Sequence, residues 1–475
     1  TVVERLSAER RALEAASGAT SKLNVSLMSD VRQSQVEWET SHKDCISDVS
    51  ISDDGKTVAL VSRGELFTAP VGTGRLVHVS RDSGVRYRDV MFTSDSTNVF
   101  ALSDKSGELE WWKLQMDGSS MPEQITDGPA MLRRAPHPSP NGQQMVHTDY
   151  DDHLWLVNLD DGTTKRIAES SIGGDATWSP DSRYVVYSRY MENQIRALFA
   201  YDSQDEKTIQ ITSNRFSDFS ATFSEDGNWL FFVSNRTWNS SVGSPWGERA
   251  PQPHFEDTGK VYALPLKEGL SFPLTDSDEL DRESSPKGDL RWDLGHLLRE
   301  VPISAGSPRI LGANDKRLFY RESGNLMAID LKSGAEPTQL VAGTTRVILS
   351  GNGKQLLVRK GTKIHVIAAS SGKDAKLNDE NEVELGDWKF AVDKRAEWNE
   401  IYHDMWRLHR DYFLDPNMGG VDWKAMMDKY SVLLPRVFSR AALSDLLFFL
   451  VSVLSLLHSI PVLCFSLCCF FFFSP

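Results

Sequence analysis

One short segment of this sequence carries side chains of the types that bind metal ions. The stretch from His147 to His153 reads His-Thr-Asp-Tyr-Asp-Asp-His, and imidazole and carboxylate groups are ligands for zinc and calcium. The same residues suit a hairpin turn, because aspartate side chains bond to their own backbone. We expect the turn and assign no metal site. The sequence has no P-loop and no G-x-G-x-x-G, so we predict no cofactor.

A second group of side chains is suited to binding anions. The arginines that could line a channel mouth and bind a peptide carboxylate are Arg81, Arg86, Arg88, Arg133 and Arg134. Solvated loop charge is the alternative interpretation. Acyl transfer would further require a nucleophile, a base and oxyanion donors. No G-x-S-x-G elbow is present, so the sequence predicts that the chain alone hydrolyses no peptides.

Composition narrows the possible partners. The chain has 475 residues, 52 Lys and Arg against 66 Asp and Glu, and a net charge of −14. Such an acidic surface repels phosphate backbones, so we expect no nucleic-acid binding. Cys45 stands alone and the other cysteines crowd the last dozen residues, so no disulfide framework is implied.

The elements that would position these side chains repeat along the chain. Serine or a similar small residue, an Asx-type turn and an apolar alternating strand recur with turn positions at 54, 95, 141, 181, 226, 314 and 352. A second turn follows each first one, so every repeat holds two hairpins and four strands. This period is typical of a β-propeller blade. The long interval between 226 and 314 has its excess in 237–259 and in the acidic stretch 276–289.

We therefore predict a mainly β protein, a seven-bladed β-propeller followed by a small α-helical module. A two-sheet sandwich is the alternative. The predicted divisions are 1–44, a helical or irregular lead with a charged helix over 2–16; 45–392, the propeller; 393–458, the helical module; and 459–475, an apolar tail. In the module, Trp398, Tyr402, Met405 and His409 recur at helical spacing. Ser439 is placed to cap a third helix that begins near Arg440.

The tail has two interpretations. No Asp, Glu, Lys or Arg occurs from Leu446 to Pro475, which is longer than the apolar length of a membrane span. A tail anchor through 446–473 is one explanation, and a non-native end of the chain is the other.

The helical module also resembles a known family. The segments that carry the resemblance are 397–402, 406–413, 415–418, 420–423, 430–437 and 439–446. They are similar to the first helical part of the split catalytic region of the tricorn-type serine peptidases, which follows a seven-bladed propeller. In that family the nucleophilic serine and a catalytic glutamate lie further on, which the resemblance places beyond Pro475. His458 matches the position of the family's catalytic base, but Leu457 replaces the serine expected before it.

The resemblance implies a role in proteolysis. The propeller channel would admit peptides or unfolded polypeptide to a protease site outside this chain, in a homo-oligomer, with cytoplasmic location. The alternative is a non-catalytic propeller that serves as a protein- or peptide-binding scaffold, tail-anchored or not.

Overall fold

The first residues that the structure describes form short strands, where a helix is predicted over 2–16. The computed structural model describes residues 11–13, 20–22, 36–39, 42–128, 131–169, 176–237, 239–241, 254–256, 258–275, 289–304, 306–386 and 388–454. The first strands are β1 Arg11–Leu13, β2 Thr20–Lys22 and β3 Glu37–Glu39. Since β1 pairs with β2, the predicted helix over 2–16 is wrong at residues 11–13. Pairing between the strands satisfies backbone groups that a helix would have bonded internally.

The described residues then form seven antiparallel sheets, which are the blades. Blade 1 contains β4 Ile46–Ile51, β5 Thr57–Ser62, β6 Glu65–Pro70 and β7 Val77–His78. Blade 2 contains β8 Tyr87–Phe92, β9 Asn98–Ser103, β10 Glu110–Gln115 and β11 Glu123–Gln124. Blade 3 contains β12 Arg134–Pro138, β13 Gln144–Thr148, β14 Leu154–Asn158 and β15 Thr164–Ala168. Blade 4 contains β16 Thr177–Trp178, β17 Tyr184–Tyr190, β18 Arg196–Asp202 and β19 Lys207–Gln210.

Blade 5 is the long repeat. It contains β20 Asp218–Phe223 and β21 Trp229–Ser234, then the separate hairpin β22 Asn239–Ser241 and β23 His254–Glu256, then β24 Lys260–Pro265 and β25 Arg299–Glu300. Blade 6 contains β26 Arg309–Ala313, β27 Arg317–Glu322, β28 Asn325–Asp330 and β29 Thr338–Val341. Blade 7 contains β30 Arg346–Leu349, β31 Gln355–Lys360 and β32 Lys363–Ala368. The hairpin lies in the predicted excess 237–259, and residues 276–288 of the acidic stretch lie outside the described part.

The blades close into a ring. The first strand of each blade contacts the first strand of the next, and β30 of blade 7 contacts β4 of blade 1. At the turns, the backbone NH of Asn352 in blade 7 donates to the carbonyl oxygen of Asp53 in blade 1 (3.1 Å). The prediction of a seven-bladed propeller is confirmed, and the sandwich is excluded.

The repeated turn has one hydrogen-bond pattern that explains the sequence repeat. The Ser52 hydroxyl donates to the Asp54 carboxylate (2.6 Å) and accepts from the backbone NH of Thr57 (3.0 Å). Gly55 follows with φ of 74°, which a glycine adopts without strain. The same serine-to-Asx bond links Ser139 to Asn141, Ser179 to Asp181, Ser224 to Asp226 and Ser350 to Asn352. The motif therefore fixes the tight turn between the first two strands of a blade.

Within the described part of the chain, which ends at residue 454, three α-helices follow the propeller. After β33 Phe390–Val392, which pairs with β3, the helices are α1 Lys394–Tyr412, α2 Trp423–Ser431 and α3 Arg440–Ser452. Short 3₁₀ turns occupy His42–Cys45, Gly295–Leu297, Met418–Gly420 and Leu434–Arg436. The predicted cap is confirmed, since the Ser439 hydroxyl accepts from the backbone NH of Ala442. Trp398, Tyr402 and Met405 of α1 pack with Leu443 and Leu450 of α3 in one apolar cluster.

Candidate channel mouth and the helical module beside it

The first strands enclose the channel of the ring. Neighbouring blades cover both faces of each sheet, so the exposure that remains on the first strands faces the enclosed space. Partly exposed residues of these strands include Arg88, Arg134, Thr222, Leu311 and Ile348. Thr222 lies near the far end of its strand, whereas Arg88 and Arg134 lie where their strands begin, at the end of the channel that also carries the helices. We call this end the channel mouth.

Extra residues shape the first strands at this mouth. Blades 2, 3 and 5 each have a register shift near the strand start, between Arg88 and Met91, Arg134 and His137, and Phe219 and Thr222. Within these bulges Asp89, Ala135 and Ser220 have φ between 50° and 54°. A bulge bends the strand and redirects its side chains. A bulge with a non-glycine residue at positive φ therefore shapes the mouth in these three blades, and blades 1 and 6 also have a register shift near the start of their first strands.

Asp48 ties three blades together at the mouth. One of its carboxylate oxygens lies 2.9 Å from the Arg346 guanidinium of blade 7, and the other accepts from the backbone NH of Val90 in blade 2 (2.7 Å). Burial raises the pKa of Asp48 to about 6, with Arg346 opposing and Asp89 adding to the shift. This carboxylate stabilises the ring closure chiefly when it is ionised, because only then does it pair with Arg346.

The predicted anion-binding arginines divide between the channel mouth and other sites. Arg88 and Arg134 lie on the first strands β8 and β12 at the mouth. Arg81 lies exposed in the loop between blades 1 and 2. Arg133 is fully buried and donates to the carbonyl oxygen of Leu109 (2.5 Å). The prediction that Arg133 could meet a peptide carboxylate is therefore wrong, because its charge is needed inside blade 2.

Arg86 and its neighbours bind helix α1 instead. The Arg86 guanidinium pairs with the Asp404 carboxylate, and Arg63 pairs with Glu397 (2.6 Å). Both arginines belong to loops of blades 1 and 2, and both carboxylates belong to α1. Arg86 thus has a structural partner, contrary to the anion-binding expectation.

Arg407 completes this interface from the helix side. Its guanidinium donates to Asp104 (2.7 Å), Asp404 (2.6 Å) and the carbonyl oxygen of Gly107 (3.0 Å). Arg407, Asp104 and Asp404 keep only 5–8% of their side-chain surface exposed. Burial works to raise the pKa of Asp404, but Arg86 and Arg407 outweigh it and hold that pKa well below the usual range. In the sequence, this face of α1 is marked by a stripe of charged residues at helical spacing. The apolar stripe that predicts the helix does not indicate this charged face.

A third carboxylate lies in the same interface. Asp104, Glu400 and Asp404 bring oxygen atoms within 4.8 Å of one another. Within the described residues, Oε1 of Glu400 is buried and has no hydrogen-bond partner. Burial raises the pKa of Glu400 well above its usual range, and the Asp404 carboxylate adds to the shift. Because Arg86 and Arg407 already neutralise the two aspartates, the group fits a protonated Glu400 better than a metal ion.

The end of α1 reaches the channel mouth. Tyr412 is 45% exposed, and its ring packs edge-on against Tyr150 of blade 3, with centroids 4.4 Å apart. Burial raises the pKa of Tyr412, while the nearby charges of Arg134 and Arg88 oppose that rise. The helical module therefore lies directly beside the arginines of the channel.

The predicted turn at His147 to His153 is a hydrogen-bonded network. The Asp149 carboxylate accepts from the backbone NH of Asp151 and His153 (2.9 Å each) and from the Trp155 indole (2.8 Å). His147 is buried, and burial lowers its pKa to about 4. Since the Asp149 oxygens are used inside the turn, these residues are arranged as a hairpin and do not converge as metal ligands.

His458, the candidate base, lies outside the described residues, as does 455–475. The described start of the tail belongs to α3, where Leu446, Leu447 and Leu450 are buried. Among the helices that the structure describes, none combines the length and hydropathy needed to cross a membrane.

Comparison with known proteins accounts for both parts of the molecule. Residues 46–370 match the model of the tricorn protease second beta propeller domain. Residues 394–451 match the model of the tricorn protease C1 domain. The first match covers the seven blades, and the second covers α1 to α3.

Individual relatives agree. The chain is 25% identical over 350 residues to tricorn protease homolog 1 of Streptomyces coelicolor, covering 65% of this chain and 32% of that protein. It is 21% identical over 448 residues to the tricorn protease homolog of Saccharolobus solfataricus, covering 90% of this chain and 40% of that protein. The crystal structure of the tricorn protease shares the fold, with a TM-score of 0.76 at 19% identity over 93% of this chain and 44% of that one. The chain spans less than half the length of these relatives, and by its domain matches it belongs to the tricorn protease family.

Proposed function

We propose that this chain is the propeller and first helical portion of a tricorn-like serine peptidase, and that its channel guides unfolded peptides to a protease site on other polypeptide. The observation that carries the proposal is the position of Tyr412. The part of the chain that matches the C1 domain ends its first helix at the mouth of the propeller channel. A peptide that emerges there would meet the catalytic region first.

The rest of the assignment follows from the family. We propose His458 as the remnant of the family's base and a homo-oligomer as the form of the intact protein. We also propose the cytoplasm as its compartment. The competing function is a scaffold that binds proteins without catalysis. Assays of peptide binding and of peptide cleavage distinguish the scaffold from the peptidase portion.

Channel passage is tested by obstructing the channel. Thr222 lies on the first strand of blade 5 and is half-buried, whereas Thr208 lies exposed on the outermost strand of blade 4. We expect Thr222→Trp to weaken binding of a fluorescent unstructured peptide on the order of tenfold, because the indole fills space that the peptide needs. Thr208→Trp is the matched control and should leave binding unchanged. Binding that is indifferent to Thr222→Trp, or folded proteins that bind as well as the peptide, would favour the scaffold.

Catalysis is tested separately. We expect the purified chain to cleave no fluorogenic peptide, since its sequence holds no recognisable nucleophile elbow. Steady cleavage that disappears in His458→Ala would show that this chain carries its own active site and would overturn that part of the proposal.

A further inference from the structure

A cavity opens on the outer side of blade 1, away from the channel. Its volume is about 460 Å³, which lies within the range of small-molecule sites. Phe67 of β6 and His78 of β7 line it from the two strands of blade 1 that are farthest from the channel. Trp388 and Phe390 line it from the segment that leads from blade 7 into β33.

The four rings form one continuous wall of this cavity. The centroid of the Phe67 ring lies 4.5 Å from that of His78, 4.5 Å from that of Trp388 and 5.0 Å from that of Phe390. The rings of Phe67 and His78 are stacked, with 18° between their planes. Because the rings contact one another, they do not form a cage around a single point, as a small cation would require. Their joint surface suits an aromatic group, which gains from edge-on or offset contact with other rings.

Hydrogen bonds hold the His78 ring in the wall. The Glu65 carboxylate lies 3.1 Å from Nε2 of His78 and accepts from the Ser80 hydroxyl (2.7 Å). The Ser80 hydroxyl in turn accepts from the backbone NH of Leu66 (2.8 Å). The wall is therefore preorganised, which lowers the entropy cost of binding a ligand.

Two charges of opposite sign stand at the rim. Glu384 and Lys389 both line the cavity and are exposed, and neither has an ion-pair partner within the described part of the chain. The backbone NH of Trp388 donates to the carbonyl oxygen of Leu385 (3.2 Å), and this bond closes a tight turn between the two charged residues. A turn brings the residues on its two sides close together. The rim therefore offers a carboxylate and an ammonium group side by side.

We propose that this cavity binds a small zwitterion with an aromatic side chain, such as a free aromatic amino acid. The ring of the ligand lies on the wall, its ammonium group pairs with Glu384, and its carboxylate pairs with Lys389. This ligand satisfies both rim charges, whereas an uncharged aromatic compound satisfies neither. The inference is independent of the proposed function, because the cavity lies on the outer strands and the first strands enclose the channel.

The experiment titrates the full chain by calorimetry with phenylalanine and with analogues that each lack one feature. We expect phenylalanine to bind with a dissociation constant on the order of 1 mM, as a ligand of about a dozen non-hydrogen atoms allows. Alanine lacks the ring and should bind on the order of tenfold more weakly. N-acetylphenylalanine lacks the ammonium group and phenylalaninamide lacks the carboxylate, so each should bind about threefold more weakly.

Substitutions at the rim assign each charge of the ligand to a residue. Glu384→Gln should weaken phenylalanine about threefold and leave N-acetylphenylalanine unchanged, because that analogue has no ammonium group to pair. Lys389→Gln should weaken phenylalanine by about the same factor and leave phenylalaninamide unchanged. Glu380→Gln and Lys376→Gln are the matched controls, since both residues are exposed and neither lines the cavity. They should change no affinity.

Several results would overturn the proposal. Phenylalanine that does not bind, or alanine that binds equally well, would remove the role of the aromatic wall. If N-acetylphenylalaninamide binds as tightly as phenylalanine, the cavity takes an uncharged side chain of a polypeptide instead. If phenylalaninamide binds more tightly than phenylalanine, the cavity is a cation site. Equal losses in the rim variants and their controls would mean that only net charge matters.

Discussion

Blades 6 and 7 meet through apolar side chains, whereas helix α1 meets blades 1 and 2 through charged ones. Between the blades, Phe319 and Leu326 pack with Val347, Leu356 and Val358 in one buried cluster. At the helix, Arg407 and the carboxylates that it binds are almost equally buried. Both interfaces exclude water, but they do so with opposite chemistry.

The difference determines how each interface responds to change. Apolar contact is non-directional and insensitive to pH, so repeated sheets can close a ring without exact partners. Buried ion pairs give little net stability against an apolar alternative, yet the loss of one partner is costly because the other is left unpaired. The ring is therefore the robust part of the molecule, and the attachment of the helices is the part that a local change can release.

The largest expected effect lies in the ring. Phe319 is fully buried between blades 6 and 7, and Phe319→Ala should lower the free energy of unfolding by about 3–5 kcal/mol through lost burial and a cavity. Denaturant unfolding of the full chain measures this loss. Leu414→Ala is the control, since Leu414 is 98% exposed, and should leave the midpoint in place. If Phe319→Ala lowers the free energy of unfolding by less than Leu414→Ala does, the blades do not depend on apolar contact.

A somewhat smaller and more local effect is expected at the helix. Arg407→Met removes the shared partner of Asp104 and Asp404, and should weaken docking of α1 by about 3 kcal/mol. Hydrogen exchange should rise in α1 while the blade amides keep their protection. Arg410→Met, at the more exposed pair with Glu108, should cost about 0.5–1 kcal/mol. Exchange that rises equally in all blades would contradict a separable interface.

The smallest effect is a pH dependence of the same interface. Burial raises the pKa of Glu400, so Glu400 takes up a proton when α1 docks. Docking therefore weakens as the pH rises above about 4.3, the usual pKa of a glutamate side chain. This contribution to docking is then progressively lost as pH passes through the raised pKa. Glu400→Gln should remove the slope, which is on the order of 1 kcal/mol per pH unit.

Hydrogen exchange of α1 across a pH series, corrected for intrinsic exchange rates, provides the measurement. Glu108→Gln at the exposed edge is the matched control and should retain the slope. An unchanged slope in Glu400→Gln would mean that another group carries the proton.

Much of the fold could be predicted because its determinants are local. Ser52, Asp54 and Gly55 form their turn through bonds within a few residues, and the motif recurs wherever the chain makes that turn. The helix cap at Ser439 is local in the same way. The short β1 strand was missed because its partner, not its own composition, determines it.

The candidate site was predicted only in part. The sequence predicts Arg88 and Arg134 at the channel mouth together with Arg86 and Arg133, because all four are the same residue type at similar spacing. Arg133 is satisfied inside its own blade, and Arg86 is satisfied by a carboxylate 318 residues away in sequence. Nothing adjacent to either arginine in the chain distinguishes them.

The sequence by itself determined the number of blades, the turns between strands and the start of the helical module, because hydrogen bonds between near neighbours and alternating apolar residues encode them. Only the tertiary structure decided which charges face the channel and which fasten α1 to the ring. The physical reason is that the partner of a buried charge is chosen by proximity in space. Ring closure brings Arg346 to Asp48, and docking brings Arg407 to Asp104.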